Sequence, residues 1–390
     1  MQRRHFMIGG AVAASALSLA GSVQAQDNTV KIGLVHSMTG GLAAVGRQVV
    51  AGARLYVQEH GDTVAGKKIQ LIVKDDTTVP DVARRLAQEL IVNDKVNILG
   101  LGITPVAMAI APLATQAKIP SVIMVAGTSV VVDRSPMFVR TSFTLGQQSS
   151  VMGEWAAKNG IKKVAIIQSD WAPGAEATAV FTESFTKAGG TITETLKVPL
   201  ANPDFAPFLQ RAADGKPDGM FVFVPGGGQA GTFARQFIER GLDKSGIKLI
   251  GPGDITDDDD LNGMGDAVLG VVTAGFYSAS HDSAKNKAYV AAMKKANNGM
   301  RPNFLSLGGY DGMHIIYEAL KKTGGNTDGE ALVNAMKGLA WESPRGPVSI
   351  DPDTRDIVQN IYVRRVERVG GELYNTEFMT VPNVKDPRKR

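Results

Sequence analysis

From residue 29 almost to residue 300, strand-length apolar runs alternate with helix-length amphipathic runs, and few architectures accept that rhythm. Val30–Val35 (VKIGLV) is a short apolar strand, after which Val45, Val49, Ala53 and Tyr56/Val57 fall on one helical face. Lys68–Lys74 (KIQLIVK) alternates as a strand, Pro80 suits the start of a helix, and Val82, Leu86 and Leu90 make its stripe. Val96–Leu101, Val106–Ala117 and Ser121–Ala126 repeat the theme, and a second set begins near Leu145 with Ser149–Asn159, Val164–Gln168, Ala175–Ala188 and Thr191–Val198. It continues through Phe205–Ala213, Gly219–Val224, Gln229–Arg240, Lys248–Gly251 and Val268–Ala274. Such alternation requires parallel strands with crossover helices on both faces. The expected fold is therefore α/β: two Rossmann-like lobes, each a parallel sheet flanked by helices, joined by three hinge crossings. Lobe 1 is expected to hold 26–143 and 277–345, lobe 2 to hold 144–276 and 346–390, with crossings near 141–147, 274–280 and 341–348. Helical runs at Lys285–Asn297 and Gly312–Lys322 and strands at Val348–Ile350 and Gln359–Arg365 join these lobes late in the chain.

The first 25 residues stand apart. Arg3-Arg4-His5-Phe6-Met7 is basic, an apolar small-residue run follows from Met7 to Ala20, and Val23-Gln24-Ala25 fits a cleavage site before Gln26. This reads as an export signal, either of twin-arginine type, given Phe6 two places after the pair, or of the general secretory type. The run is short of the ~20 residues of a spanning helix, and nothing later approaches that length. The absence of cysteine excludes disulfides, thiolate metal sites, cysteine nucleophiles and a lipid carried on cysteine. The formal net charge of +4 becomes +2 without Arg3 and Arg4, too small a surplus for a nucleic-acid stripe. The expected location is a bacterial periplasm.

In open parallel sheets, ligands bind beyond the carboxyl ends of the strands. The strand exits here are small and polar: His36–Gly41, Gly102–Thr104, Ala126–Ser129, Ser169–Gly174, Pro225–Gly228 and Gly251–Asp257. Two facing sheets set these loops across one cleft, where small residues let backbone N–H groups approach a ligand and helix N-termini favour an anion.

Three segments in order, VKIGLVHSMTGGLAAVGRQVVAGARLYVQE, KKIQLIVKDDTTVPDVARRLAQELI and ILGLGITPVAMAIAPLATQAKIPSVIMVAGTS, resemble the type I periplasmic binding proteins of the leucine/isoleucine/valine-binding family. The resemblance spans essentially the whole chain after the export segment. It implies a two-lobed clamshell that closes on a small carboxylate and delivers it, as a monomer without cofactor, to the membrane permease of an ATP-driven importer; the alternatives are a sensory receptor of the same fold and, further off, an exported amidase or hydrolase. By this resemblance Thr104 supplies the hydroxyl that holds the carboxylate, and Ala126, Gly127 and Thr128 complete the grip, with a segment about one residue longer that lets the pairing slip by one. Thr104 as a helix cap is the plainer reading. Val45 falls on the apolar wall, with Ser37 in the same strand exit, and Trp171 and Pro173 on the second-lobe aromatic position, where Trp171 either stacks on the solute or lies at the surface. Phe276, near the second crossing, lines either the cleft or the hinge.

The chain departs from amino-acid binders at the ammonium site. Their Gly-Pro-acid-Gly turn is here Gly251-Pro252-Gly253-Asp254, and the aromatic of the preceding loop is replaced by Pro225-Gly226-Gly227-Gly228. The carboxylate is either missing or displaced to Asp254. An ammonium left unpaired in a closed cleft is costly, so the solute is expected to be a branched-chain amino acid or, with the ammonium site altered, a related hydrophobic or aromatic carboxylate bound partly through Gly226, Gly227 and Asp254. Enzymatic chemistry finds no support. Neither Gly-x-Ser-x-Gly nor His-Glu-x-x-His occurs, the glycine run lacks a following Gly-Lys-Ser/Thr, and no histidine pair has metal spacing. Asp257–Asp260 is expected as a solvated acidic loop or interlobe charge patch, Arg364-Arg365 as solvated, and Asp311 as a helix cap.

Overall fold

The computed structural model describes residues 28–226 and 228–389; the export segment expected at 1–25 and Gly227 lie outside them. The chain begins with β1 (Thr29–His36), α1 (Ala43–His60), β2 (Thr63–Val64), β3 (Lys67–Asp75), α2 (Pro80–Val92), β4 (Ile98–Leu101), α3 (Thr104–Ala117), β5 (Ser121–Ile123) and β6 (Phe138–Arg140). These strands form a six-stranded sheet in the order β2-β3-β1-β4-β5-β6, parallel except for β2. Helices cover both faces, which is why β1 is a continuous apolar run rather than an alternating one. At Gly33 a side chain would press on Leu90 of α2, 2.9 Å away, so glycine lets the helix settle on the strand.

The second unit contains α4 (Leu145–Lys158), β7 (Lys163–Ser169), α5 (Ala172–Lys187), β8 (Thr191–Val198), α6 (Ala206–Asp214), β9 (Gly219–Phe223), α7 (Gly228–Glu239), β10 (Lys248–Pro252), α8 (Leu261–Met264) and β11 (Val272–Gly275). The chain then returns to the first lobe as α9 (Ala284–Ala296), α10 (Phe304–Lys322) and α11 (Gly329–Met336), and ends as β12 (Ala340–Ser343), β13 (Gly346–Ile350), β14 (Ile357–Val369) and β15 (Glu372–Val384). The second sheet runs β12-β13-β14-β11-β10-β9-β7-β8, with β15 on β14. Its strands β7 to β11 are parallel, and β12 to β15 add an antiparallel flank. In both sheets the first parallel strand is flanked by the second and third, the order that opens a crevice at the strand ends.

Three expectations need correction. The third crossing lies at 337–339, before the expected 341–348, and β12 belongs to the second sheet rather than to a lobe 1 ending at 345, because Ala340–Ser343 folds back on Gly346–Ser349 as a hairpin. Asp311 is not a cap. Helix α10 starts two turns earlier, where Asn303 and Ser306 form a capping box, and Asp311 sits buried in mid-helix. There it accepts hydrogen bonds from Trp341 Nε1 (3.1 Å) and Ser343 Oγ (2.8 Å) and pairs with Arg345 at 2.8 Å. Arg345, fully buried, also donates to the carbonyls of Thr141 (2.6 Å) and Ser142 (2.8 Å), so the β12–β13 turn is pinned to the first crossing. No helix among the described residues is long and apolar enough to cross a membrane.

Candidate functional site: the interlobe cleft

On the first lobe, the exits of β1, β4 and β5 meet at one wall. Helix α3 begins at Thr104 with Ile103 as its cap, and the Thr104 side chain makes no capping bond; it shares a 2.9 Å hydrogen bond with the Thr128 hydroxyl. The cap reading of Thr104 is thereby replaced. The 126–128 segment is held by its carbonyls. Arg140, fully buried at the end of β6, donates to the Ala126 carbonyl at 2.6 Å and the Thr128 carbonyl at 2.8 Å, while Asp356 balances its charge at 2.7 Å. The Gly127 carbonyl accepts from the Leu145 amide at 2.8 Å. The Ala126 amide is spent on the Gly102 carbonyl at 3.0 Å, but those of Gly127 and Thr128 meet no acceptor among the described residues. Two amides without a protein acceptor and one hydroxyl pair thus lie together at this wall, with a buried guanidinium behind them. Gly127 has to be glycine: a Cβ there would lie 2.6 Å from the Phe143 ring.

The second-lobe wall comes from the exits of β7, β9 and β10. Trp171 stands at the N-terminus of α5, and its indole Nε1 is buried without a protein partner. Asp254 sits in the 3₁₀ turn Gly253–Thr256 after β10 and is buried. Burial pushes its carboxyl up to about 7, with the Arg364 guanidinium pulling the other way. At Gly253, a Cβ would stand 2.6 Å from Arg364 Nη2, so a buried cation packs against this turn. Arg364 is fixed by Thr273 Oγ1 at 3.0 Å and by the Tyr277 carbonyl and is buried, which corrects its reading as a solvated residue. Asp257 and Asp258 are buried too, held by Asn303 (2.9 Å) and Asn375 (3.1 Å), while Asp259 is exposed and accepts from Gln48; with Asn303 and Gln48 reaching over from the first lobe, the run is the interlobe patch of the two expectations rather than a solvated loop.

Between the walls lies a cavity, partly open to solvent. The structure brings Val45, Thr104, Ala126, Gly127, Trp171, Pro173, Gly226 and Asp254 together around it. Thr128 stands behind Thr104. Ser37 is elsewhere, its hydroxyl spent on Asp76 at 2.6 Å, because α1 packs down on this loop at Gly46. Phe276 is also displaced from the lining: it stacks behind Phe143 at 5.1 Å, with the Arg345 guanidinium on its ring. Gly227 lies outside the described residues. The lining also includes Ile103 and Pro225, which lie in the strand exits marked from the sequence, and Leu42, Val125, Phe143, Leu145, Phe223, Phe304 and Leu305, which sequence patterning does not assign to the cleft. Ile103 and Val125 adjoin the predicted residues and were within reach; Phe143 and Phe304 come from a crossing and a helix start that carry no periodic signal.

Comparison with known proteins agrees with this geometry. The periplasmic binding protein family matches residues 29–372. The Leu/Ile/Val-binding protein homolog 6 of Brucella abortus is 41% identical over 379 residues, 96% of this chain and 97% of its own length. The solute binding protein of an ABC transporter from Rhodopseudomonas palustris BisB5, solved in complex with 3,4-dihydroxybenzoic acid, is 65% identical with a TM-score of 0.91, covering 93% of this chain and 100% of that one. A second solute binding protein from R. palustris, in complex with 4-hydroxybenzoate, is 40% identical with a TM-score of 0.90 over 93% of this chain and 99% of its own. With a family match that runs from β1 to the start of β15 and a cleft built at the strand ends of two α/β lobes, this chain belongs to the periplasmic binding protein family.

Proposed function

We propose that this protein is the exported solute receptor of an ATP-driven importer and that its solute is a benzoate-type aromatic carboxylate. The observation that carries the reading is the contrast between the two ends of the cavity. The Gly127 and Thr128 amides and the Thr104 hydroxyl await an anion, whereas the turn position that by resemblance carries the acid of amino-acid binders is Gly253 here, with Arg364 packed against it. Apolar and aromatic side chains, among them Leu42, Phe143, Trp171 and Phe304, flank the space between. A flat ring with one carboxylate matches that distribution of chemistry, and the relatives solved with dihydroxy- and hydroxybenzoate support it. Binding bridges both lobes and shifts the hinge toward its closed form, which a membrane permease then recognises. The role needs no bond to be made or broken.

A branched-chain amino acid is the second reading, favoured by one observation: Asp254 is among the residues lining the cavity, and its carboxyl is an acceptor suited to an ammonium. Calorimetric titration with 4-hydroxybenzoate, benzoate and leucine separates the two. Aromatic acids are expected to bind and leucine not; tight leucine binding with no aromatic acid bound would end the first reading.

A further inference from the structure

The opposed walls offer opposite hydrogen-bonding character. The first lobe presents donors: the Gly127 and Thr128 amides with the Thr104 hydroxyl close by. On the second lobe Asp254 lines the cavity, and its carboxyl is an acceptor. Among the buried acids of its loop, Asp257 is held by Asn303 and Asp258 by Asn375, yet the Asp254 carboxyl meets no side-chain donor among the described residues. Folding therefore gives this group only its own backbone amide as a donor, and its desolvation costs stability. Arg364 lies behind the turn and offsets part of the charge, so an anionic ligand is admitted to the same cavity. A buried carboxyl that lines a cavity and has no donor beyond its own backbone amide gains a further hydrogen bond when a ligand supplies the donor.

We propose, building on the aromatic-carboxylate reading, that Asp254 accepts a hydrogen bond from a hydroxyl on the ligand's ring, opposite its carboxylate, so that the cleft selects hydroxylated benzoates over benzoate itself. A site that hydrogen-bonds a ligand hydroxyl discriminates strongly against the analogue lacking it, because the buried acceptor is then left unpaired.

The test is titration calorimetry of the full exported chain with 4-hydroxybenzoate, benzoate and 4-fluorobenzoate, which fills the position without donating. The wild type is expected to bind the hydroxy acid about tenfold or more tightly than either analogue. Asp254→Ala is expected to bring the three to within about twofold of one another, with benzoate bound at least as tightly as by the wild type; that retained binding shows the variant to be folded. Asp254→Asn, which keeps an acceptor oxygen, is expected to retain part of the preference, and the same ratio in this variant decides the matter if the alanine variant binds nothing. Equal affinities in the wild type, or a preference that survives loss of the acceptor, overturn this assignment and leave the aromatic-acid reading standing. Leucine bound with no aromatic acid overturns both.

Discussion

Thr104 and Thr128 spend their hydroxyls on each other across 2.9 Å, and on the proposed function a ligand oxygen arriving at the Gly127 and Thr128 amides would replace that neutral bond with charge-assisted ones. Thr104→Val keeps the shape and removes the donor. It is expected to weaken 4-hydroxybenzoate binding by about tenfold to a hundredfold, with little change in melting temperature, while Thr104→Ser restores most of the affinity. An unaltered dissociation constant in the valine variant would remove Thr104 from the subsite. Asp254 makes a separate prediction about stability. Its carboxyl titrates at 3.8 when solvated and at about 7 when folded, raised by burial, so the folded state holds the proton more tightly. Its contribution is whole below the unfolded value and is lost as pH climbs through the folded one. Asp257 and Asp258 are raised by burial and act in the same direction, while Arg364 opposes all three. His36, fully buried and lowered to about 3 by desolvation, acts the other way at acidic pH, so a bare melting curve mixes the two. The difference between the wild type and Asp254→Asn isolates the carboxyl. The asparagine variant should gain about 2 kcal/mol on the wild type between pH 5 and pH 8, read by urea denaturation, and a difference flat across that range contradicts the assignment.

At the scale of elements, α1 and α10 cross so closely that a Cβ at Gly52 would run into the Ser306 carbonyl, and one at Gly309 into the Val49 carbonyl. Backbone cannot yield as a side-chain tip can. Gly309→Ala is therefore expected to cost about 1–3 kcal/mol in denaturant unfolding, despite alanine's better helix propensity, and a neutral or stabilising result would refute the tight crossing. The same helix shows what the sequence hides. The parallel strands and their crossover helices are legible because burial on both faces or on one stripe leaves a period. The first two turns of α10 are not, since Gly308, Gly309 and Tyr310 are poor helix formers and the start is set by the Asn303–Ser306 capping box. Strand β15 goes unread for a related reason. Its outer positions carry Asn, Thr and Glu, with Phe378 and Met379 left exposed, so the apolar run that marks inner strands is missing, although Gly370-Gly371 announces the hairpin. The cleft is half legible: small residues at strand exits point to it, but Arg140, Arg345 and Arg364 do not, because a single arginine within an apolar run reads as a solvated edge until the fold shows which carbonyls it collects.

At the scale of the molecule, the lobes touch through a few polar contacts on either side of the cleft as well as through the hinge. On one side Glu176, on the second-lobe helix α5, receives the Ser129 amide at 2.9 Å and the Ser129 hydroxyl at 2.7 Å; on the other, Gln48 of α1 donates to Asp259 at 2.6 Å. Ser129 directly follows Thr128, so the interlobe contact and the anion subsite share one loop. Ligand and Glu176 then favour the same closed arrangement, and apparent affinity scales with the fraction of protein able to adopt it. Removing the carboxylate destabilises closure without touching the ligand or either lobe's core. Glu176→Ala is expected to raise the dissociation constant for 4-hydroxybenzoate about three- to tenfold, mainly through faster release. In small-angle scattering its ligand-free form should have a larger radius of gyration than the wild type, and the two should converge at saturating ligand. Denaturant unfolding of the ligand-free chain should stay within about 1 kcal/mol of wild type, because both hydrophobic cores are intact. Ser129→Ala removes only the hydroxyl donor and leaves its amide, so a smaller shift in the same direction should follow. If Glu176→Ala binds and scatters as the wild type does, closure is governed by the hinge alone, and the buried network of Arg345 with Thr141, Ser142 and Asp311 becomes the place where the open–closed balance is set.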